Sequence, residues 1–145
     1  MLQIDLKDAF DSIKPAAFNS FIKGIGADGA AVQMLEVMLK SFSKVSPGFP
    51  FLNDSLFFLG NAYLKEVDTI VARRTSDFIR FVDDYKIFGD SIPDLEAKFA
   101  SIRADLREIG FEINENKLWL GSGQEYLQLL ADRKYAPEPR TDSGE

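Results

Sequence analysis

Two carboxylates stand side by side in the stretch FIRFVDDYKIFG, residues 78–89, where Asp83 and Asp84 are flanked by short apolar, aromatic-rich runs. Adjacent carboxylates repel, and each raises the other's pKa unless a positive charge sits between them. A divalent cation is the simplest such charge. The chain has no cysteine and no histidine, which excludes thiolate zinc sites, cysteine nucleophiles, imidazole ligands and Ser-His-Asp triads. Any metal is therefore held by oxygen, which points to magnesium, manganese or calcium. Taken alone, an Asp-Asp pair at a hairpin is ordinary turn chemistry. A metal site needs a third acidic residue beside it, and Asp5 in the opening LQIDL is the candidate.

The elements that must position these residues follow from periodicity and punctuation. LQIDL, residues 2–6, alternates apolar and polar and predicts a strand. Pro15 opens a short helix to about Lys23. Asp28 caps a second helix, with Val32, Leu35, Leu39 and Phe42 at helical spacing. SPGFP, with two prolines and a glycine, is a loop. Asn53 or Asp54 then caps a third helix carrying Leu56, Leu59, Tyr63, Val67 and Ile70 on one face. A hairpin follows, Phe78–Val82 and Tyr85–Phe88, turning at the two aspartates. Ser91 caps the clearest helix, in which Leu95, Phe99, Ile102, Leu106 and Ile109 step by four and three until Gly110 ends it. FEIN and KLWLG read as short strands, and YLQLL is a last apolar stretch. From Asp132 the polar, proline-containing tail to residue 145 is expected to be disordered.

Strand, helices, hairpin, helix and strand in that order predict an α+β fold. It is the ferredoxin-like split βαβ pattern, an antiparallel sheet covered on one face by helices. In that topology the first strand neighbours the hairpin, so Asp5 reaches Asp83 and Asp84 across a long stretch of sequence. The 145 residues and 46% hydrophobic content suffice for one domain with a core. The formal charge of −6 counts against a complete nucleic-acid binder, though not against an acidic metal-binding core with basic neighbours elsewhere. The opening lacks the basic and apolar regions of a signal peptide, and the most apolar segment is too short for a bilayer. These features predict a soluble, cytoplasmic protein with no membrane partner.

Four segments resemble, in order, the palm of a reverse transcriptase. IDLKDAFDSI resembles the first palm motif, an aspartate followed five residues later by an aromatic. GFPFLNDSLFFLGNAYL resembles the second, a Gly-x-Pro loop leading into a helix. FVDD resembles the Tyr-x-Asp-Asp hairpin, with Phe81 in place of tyrosine. REIGFEINENKLWL resembles the fourth, a helix end, a glycine, a short strand and a lysine. The resemblance spans about residues 1–121, and its strength lies in order and spacing. The Asn-Asp-Ser of the second segment is similar to prokaryotic enzymes of the abortive-infection, antiviral-defence kind. Two positions depart from the family pattern: Leu52, where a small residue is usual, and Phe57, where a polar or basic residue is common. Both bear on contacts with the template strand.

The resemblance implies a palm over residues 1–131 of an RNA-directed DNA polymerase, with fingers and thumb outside this segment. It implies a nucleotidyltransferase that uses two Mg2+ ions, or Mn2+, to add a dNTP to a primer 3′-hydroxyl. Asp5 and Asp83 are then the principal metal ligands. Asp84 is a third, looser one, and Leu6 contributes its backbone carbonyl. Asp8 and Ala9 offer backbone amides to the triphosphate, and Phe10 lies under the sugar and excludes a 2′-hydroxyl. Lys117 approaches the leaving pyrophosphate. Gly48 and Pro50 meet the RNA template and DNA primer. Two alternatives stay open: a non-catalytic palm remnant serving folding or assembly, and a palm making untemplated DNA.

Overall fold

Residues 1–42 and 54–135 are described by a computed structural model of the chain. Gly48, Pro50 and Leu52 lie outside them, as does the tail beyond Tyr135. Strand β1 (Leu2–Lys7) leads into helices α1 (Pro15–Gly24) and α2 (Gly29–Phe42), and then into α3 (Asp54–Tyr63) and α4 (Lys65–Ala72). Strands β2 (Phe78–Phe81) and β3 (Asp84–Ile87) form the hairpin, and α5 (Ile92–Glu108) follows. β4 (Glu112–Ile113), a 3-10 turn over Glu115–Lys117, β5 (Trp119–Leu120) and α6 (Gly123–Tyr135) complete the order.

The sheet is antiparallel, in the order β2-β3-β1-β4, with β5 pairing the other end of β1. The fold is thus α+β, and its central strand is the one that carries Asp5. Alternation along the strands separates two faces. Leu2, Ile4 and Leu6 of β1 and Tyr85 and Ile87 of β3 are buried against the helices. Gln3 and Asp5 point the other way, opposite Lys86 and Asp84. Under the first face Tyr63 joins Phe18, Phe21 and Phe111, with ring centroids 5.5–6.4 Å from its own. Such aromatic packing stabilises beyond the area it buries.

Caps fall where the sequence places them. The Asp28 carboxylate accepts from the amides of Ala30 and Ala31 at 3.0 and 3.1 Å. Ser91 accepts from the Asp94 amide at 3.3 Å. Gly110 ends α5 with φ +89°, a left-handed conformation that favours glycine.

Three expectations need correction. The single third helix is two, α3 and α4, joined at fully buried Leu64 by a tight turn in which the Val67 amide bonds the Leu64 carbonyl at 2.9 Å. A tight turn of one residue redirects a helix without disturbing the spacing of three and four, so the apolar pattern runs through it unbroken. The hairpin turns at Val82 and Asp83 rather than at the two aspartates, and Asp84 is already the first residue of β3, paired with Phe81. The last apolar stretch is a helix that continues past Asp132. Ser122 and Glu125 form a reciprocal capping box at its start, with bonds of 2.7 and 3.2 Å. Gln128 bonds Asp132 at 2.9 Å one turn later.

Candidate functional site

Asp5 occupies a gap in the sheet. On one side it stands directly across from Asp84 in the β1–β3 register, a pairing that sets Cα atoms about 4.5–5.5 Å apart. On the other side β4 pairs Leu6 and Lys7 while β5 pairs Leu2 and Gln3. The chain between those strands closes onto Asp5. The Asn114 amide donates to the Asp5 carbonyl at 2.9 Å, and its side-chain Nδ2 donates to Asp5 Oδ1 at 3.2 Å. Asn114 Oδ1 in turn accepts from the Asn116 amide at 3.2 Å, capping the 3-10 turn that delivers Lys117. Lys117 Nζ donates to Asp5 Oδ2 at 2.9 Å. Asp5 is 3% exposed, so burial of its charge is compensated by these bonds.

The turn carrying Asp83 is tied to the same strand, since the Leu6 amide donates to the Asp83 carbonyl at 3.1 Å. Asp5, Leu6, Asp8, Ala9, Phe10 and Asp83 line one open pocket of about 370 Å³, together with Asp11, Val82, Asn114 and Lys117. Four aspartates thus face one lysine. Asp84 adjoins this group on the open face of the sheet. Burial pushes its carboxyl up from the ordinary value, as do the charges of Asp5 and Asp83 and a hydrogen bond to Asp5, while Lys117 pulls it partly back. The Lys117 ammonium is raised, first by its hydrogen bond to Asp5 and then by that carboxylate's charge.

The remaining predicted residues take varied positions. Asp8 is an exposed turn residue with φ +47°, a conformation aspartate tolerates. Its carbonyl accepts from the Ser12 amide at 2.9 Å. Ala9 is buried. Phe10 lines the pocket yet is only 7% exposed, and its ring stacks on Phe57 with centroids 5.9 Å apart. Lys117 ion-pairs with Asp5. Among the described residues no three acidic side chains are gathered closely enough to hold an ion as they stand.

No protein-family model matches the chain, and no curated protein matches it.

Sequence reasoning missed two groups around the site. Asn114, although part of FEIN, gave no signal beyond being polar at a strand end. The second group lies beneath the hairpin. Arg80 Nε and Nη2 donate to the two Asp68 oxygens at 2.6 and 3.0 Å, and Tyr85 Oη donates to Asp68 Oδ1 at 2.8 Å. Arg80 Nη1 donates to Asn61 Oδ1 and, at 2.9 Å, to the Val82 carbonyl. Its one visible signal is a lone charge inside the aromatic strand FIRF.

Hard divalent cations are held by oxygen donors. Every candidate ligand in this pocket is an oxygen donor, and Lys117 is the ammonium among its described lining residues. Among the described residues no helix is long and apolar enough to cross a membrane.

Proposed function

We propose that this chain is a polymerase palm of the reverse-transcriptase type, whose carboxylates serve metal-assisted transfer of a dNTP to a primer 3′-hydroxyl. The observation that carries the reading is the register that sets Asp5 opposite Asp84 beside the Asp83 turn, with Lys117 on Asp5. Asp5, Asp83 and Asp84 would hold Mg2+ or Mn2+, which supplies a Lewis acid for the reacting phosphate and hydroxyl. The residues of the chain do the rest. The Asp8–Phe10 turn forms the wall of the pocket against which a nucleotide would lie. Phe10, backed by Phe57, closes the space below a sugar. Lys117 supplies an ammonium that reaches a phosphate once Asp5 takes a metal partner. The RNA template and DNA primer are partners this reading requires, gripped through fingers and thumb.

A second reading is a non-catalytic palm acting in folding or assembly. It draws on one observation, that both Asp5 oxygens are already engaged by Asn114 and Lys117.

Ligand-dependent melting separates the two, because a ligand stabilises the fold by mass action. With Mn2+ present, dATP should raise the melting temperature of the wild type and leave that of Asp5→Asn unchanged. No dATP-dependent rise in the wild type favours the non-catalytic palm.

A further inference from the structure

Val82 is the first of the two residues between paired Phe81 and Asp84, and it holds φ +58°. That region suits glycine in a two-residue hairpin, and a β-branched side chain there is strained. Strain of this kind persists only where the surroundings over-determine the backbone. Here they do so from two sides. Above the turn, the Leu6 amide holds the Asp83 carbonyl at 3.1 Å. Below it, Arg80 holds the Val82 carbonyl at 2.9 Å.

Arg80 is itself fixed. Its guanidinium forks onto both oxygens of Asp68 on α4 and bonds Asn61 on α3, with a side chain only 19% exposed. Fully buried Tyr85, the cross-strand partner of Arg80, locks Asp68 from the other side. The planar fork of arginine lets one side chain reach Asp68, Asn61 and Val82 together, which a lysine cannot do. None of these groups faces the pocket of the carboxylates apart from Val82.

We propose that Arg80 is a positioning residue for the carboxylate turn. Anchored to Asp68 and Asn61, it grips the Val82 carbonyl, holds the strained turn, and so sets where Asp83 and Asp84 stand and how tightly they bind a divalent cation. The inference rests on the carboxylate-site reading for its consequence, but not for the clamp itself. Residues behind a metal's ligands commonly act this way, and losing one weakens metal binding about tenfold or more.

The test uses the full chain. Arg80→Met alone takes away the cation that offsets the Asp68 carboxylate and threatens the fold, so the main variant is the double Arg80→Met/Asp68→Leu, which removes both charges. Arg80→Lys is the conservative variant. Arg74→Met, which breaks the 2.8 Å pair with Asp105 between the end of α4 and α5, is the control for loss of an ion pair. Two quantities are read in folded protein: hydrogen exchange of the Leu6 amide without metal, and Mn2+ affinity by calorimetry.

The expected result is about tenfold faster Leu6 exchange and about tenfold weaker Mn2+ binding in the double variant. Arg80→Lys should fall between it and the wild type, with Arg74→Met unchanged in both. Wild-type exchange and affinity in the double variant overturn the clamp and leave the site standing. If the wild type binds no Mn2+, the carboxylate-site reading fails, and Leu6 exchange alone then decides whether the clamp exists.

Discussion

Asp5 and Asp84 face each other across the β1–β3 ladder, and the Asp84 carboxyl is raised by burial, by the charges of Asp5 and Asp83 and by its hydrogen bond to Asp5. Like charges directly opposite in a sheet destabilise it. The fold tolerates the pair because Asn114 and Lys117 hold Asp5, and a metal-binding role would explain why the pair is there at all.

Asp84→Asn should therefore stabilise the protein when no metal is present. The sign follows from the raised carboxyl. Its favourable contribution is full below the ordinary carboxylate value and is lost as pH rises through the folded value. The gap between variant and wild type should thus open on going from pH 3 to pH 7. Solvent screening limits it to roughly a few tenths of a kcal/mol, since Asp84 is partly exposed. Urea unfolding of both proteins in EDTA across that range checks it.

Lys117→Met should act in the opposite sense. Without metal it deprives the buried Asp5 carboxylate of its ammonium partner and lowers the melting temperature. With the competing ammonium gone, Mn2+ should bind the variant more tightly and restore much of the loss. Melting curves with and without Mn2+ measure both effects. An equal deficit in the two conditions would mean that metal and lysine do not share Asp5.

Tyr85→Phe should cost about 1 kcal/mol, the usual net worth of a buried hydrogen bond, here the one to Asp68. Burial and the Asp68 charge push the Tyr85 phenol well above its ordinary value. Its contribution is full below the unfolded value near 10 and is lost as pH rises further. The wild type should therefore lose stability more steeply than Tyr85→Phe above pH 10. Alkaline unfolding followed by tyrosinate absorbance tests this.

Phe10→Ala should do two things. Leaving a cavity beside Phe57 should destabilise the fold by about 3 kcal/mol or more. In a chain joined to fingers and thumb, it should also shift the ratio of kcat/KM for dNTP over rNTP toward ribonucleotides. A tenfold shift needs only about 1.4 kcal/mol of steric penalty relieved. Phe18→Ala, a buried change under the helices, should destabilise without moving the ratio.

Much of the fold was legible because its signals are local. Pro15, Asp28, Ser91 and Gly110 mark helix ends by their own chemistry, and alternation in LQIDL marks the central strand with Asp5 upon it. The meeting of Asp5 with the hairpin followed from strand order alone. The turn position did not. A sequence with two aspartates invites a turn at both, whereas the register that buries Tyr85 and Ile87 draws Asp84 into β3 and leaves strained Val82 to turn. Lys117 was found as a residue, but its pairing with Asp5 was not, because that depends on Asn114 capping a 3-10 turn in the gap between β4 and β5. The capping box at Ser122 and Glu125 was present in the sequence and would have identified α6. Arg80, Asp68 and Asn61 come from three elements, and no spacing joins them.

Anomalous diffraction from crystals grown with Mn2+ tests the shared carboxylate site most directly. The expected result is a manganese peak about 2 Å from oxygens of Asp5 and of Asp83 or Asp84, with Lys117 Nζ moved off Asp5. A manganese-free site with Lys117 still on Asp5, or a peak that touches none of these carboxylates, would contradict it.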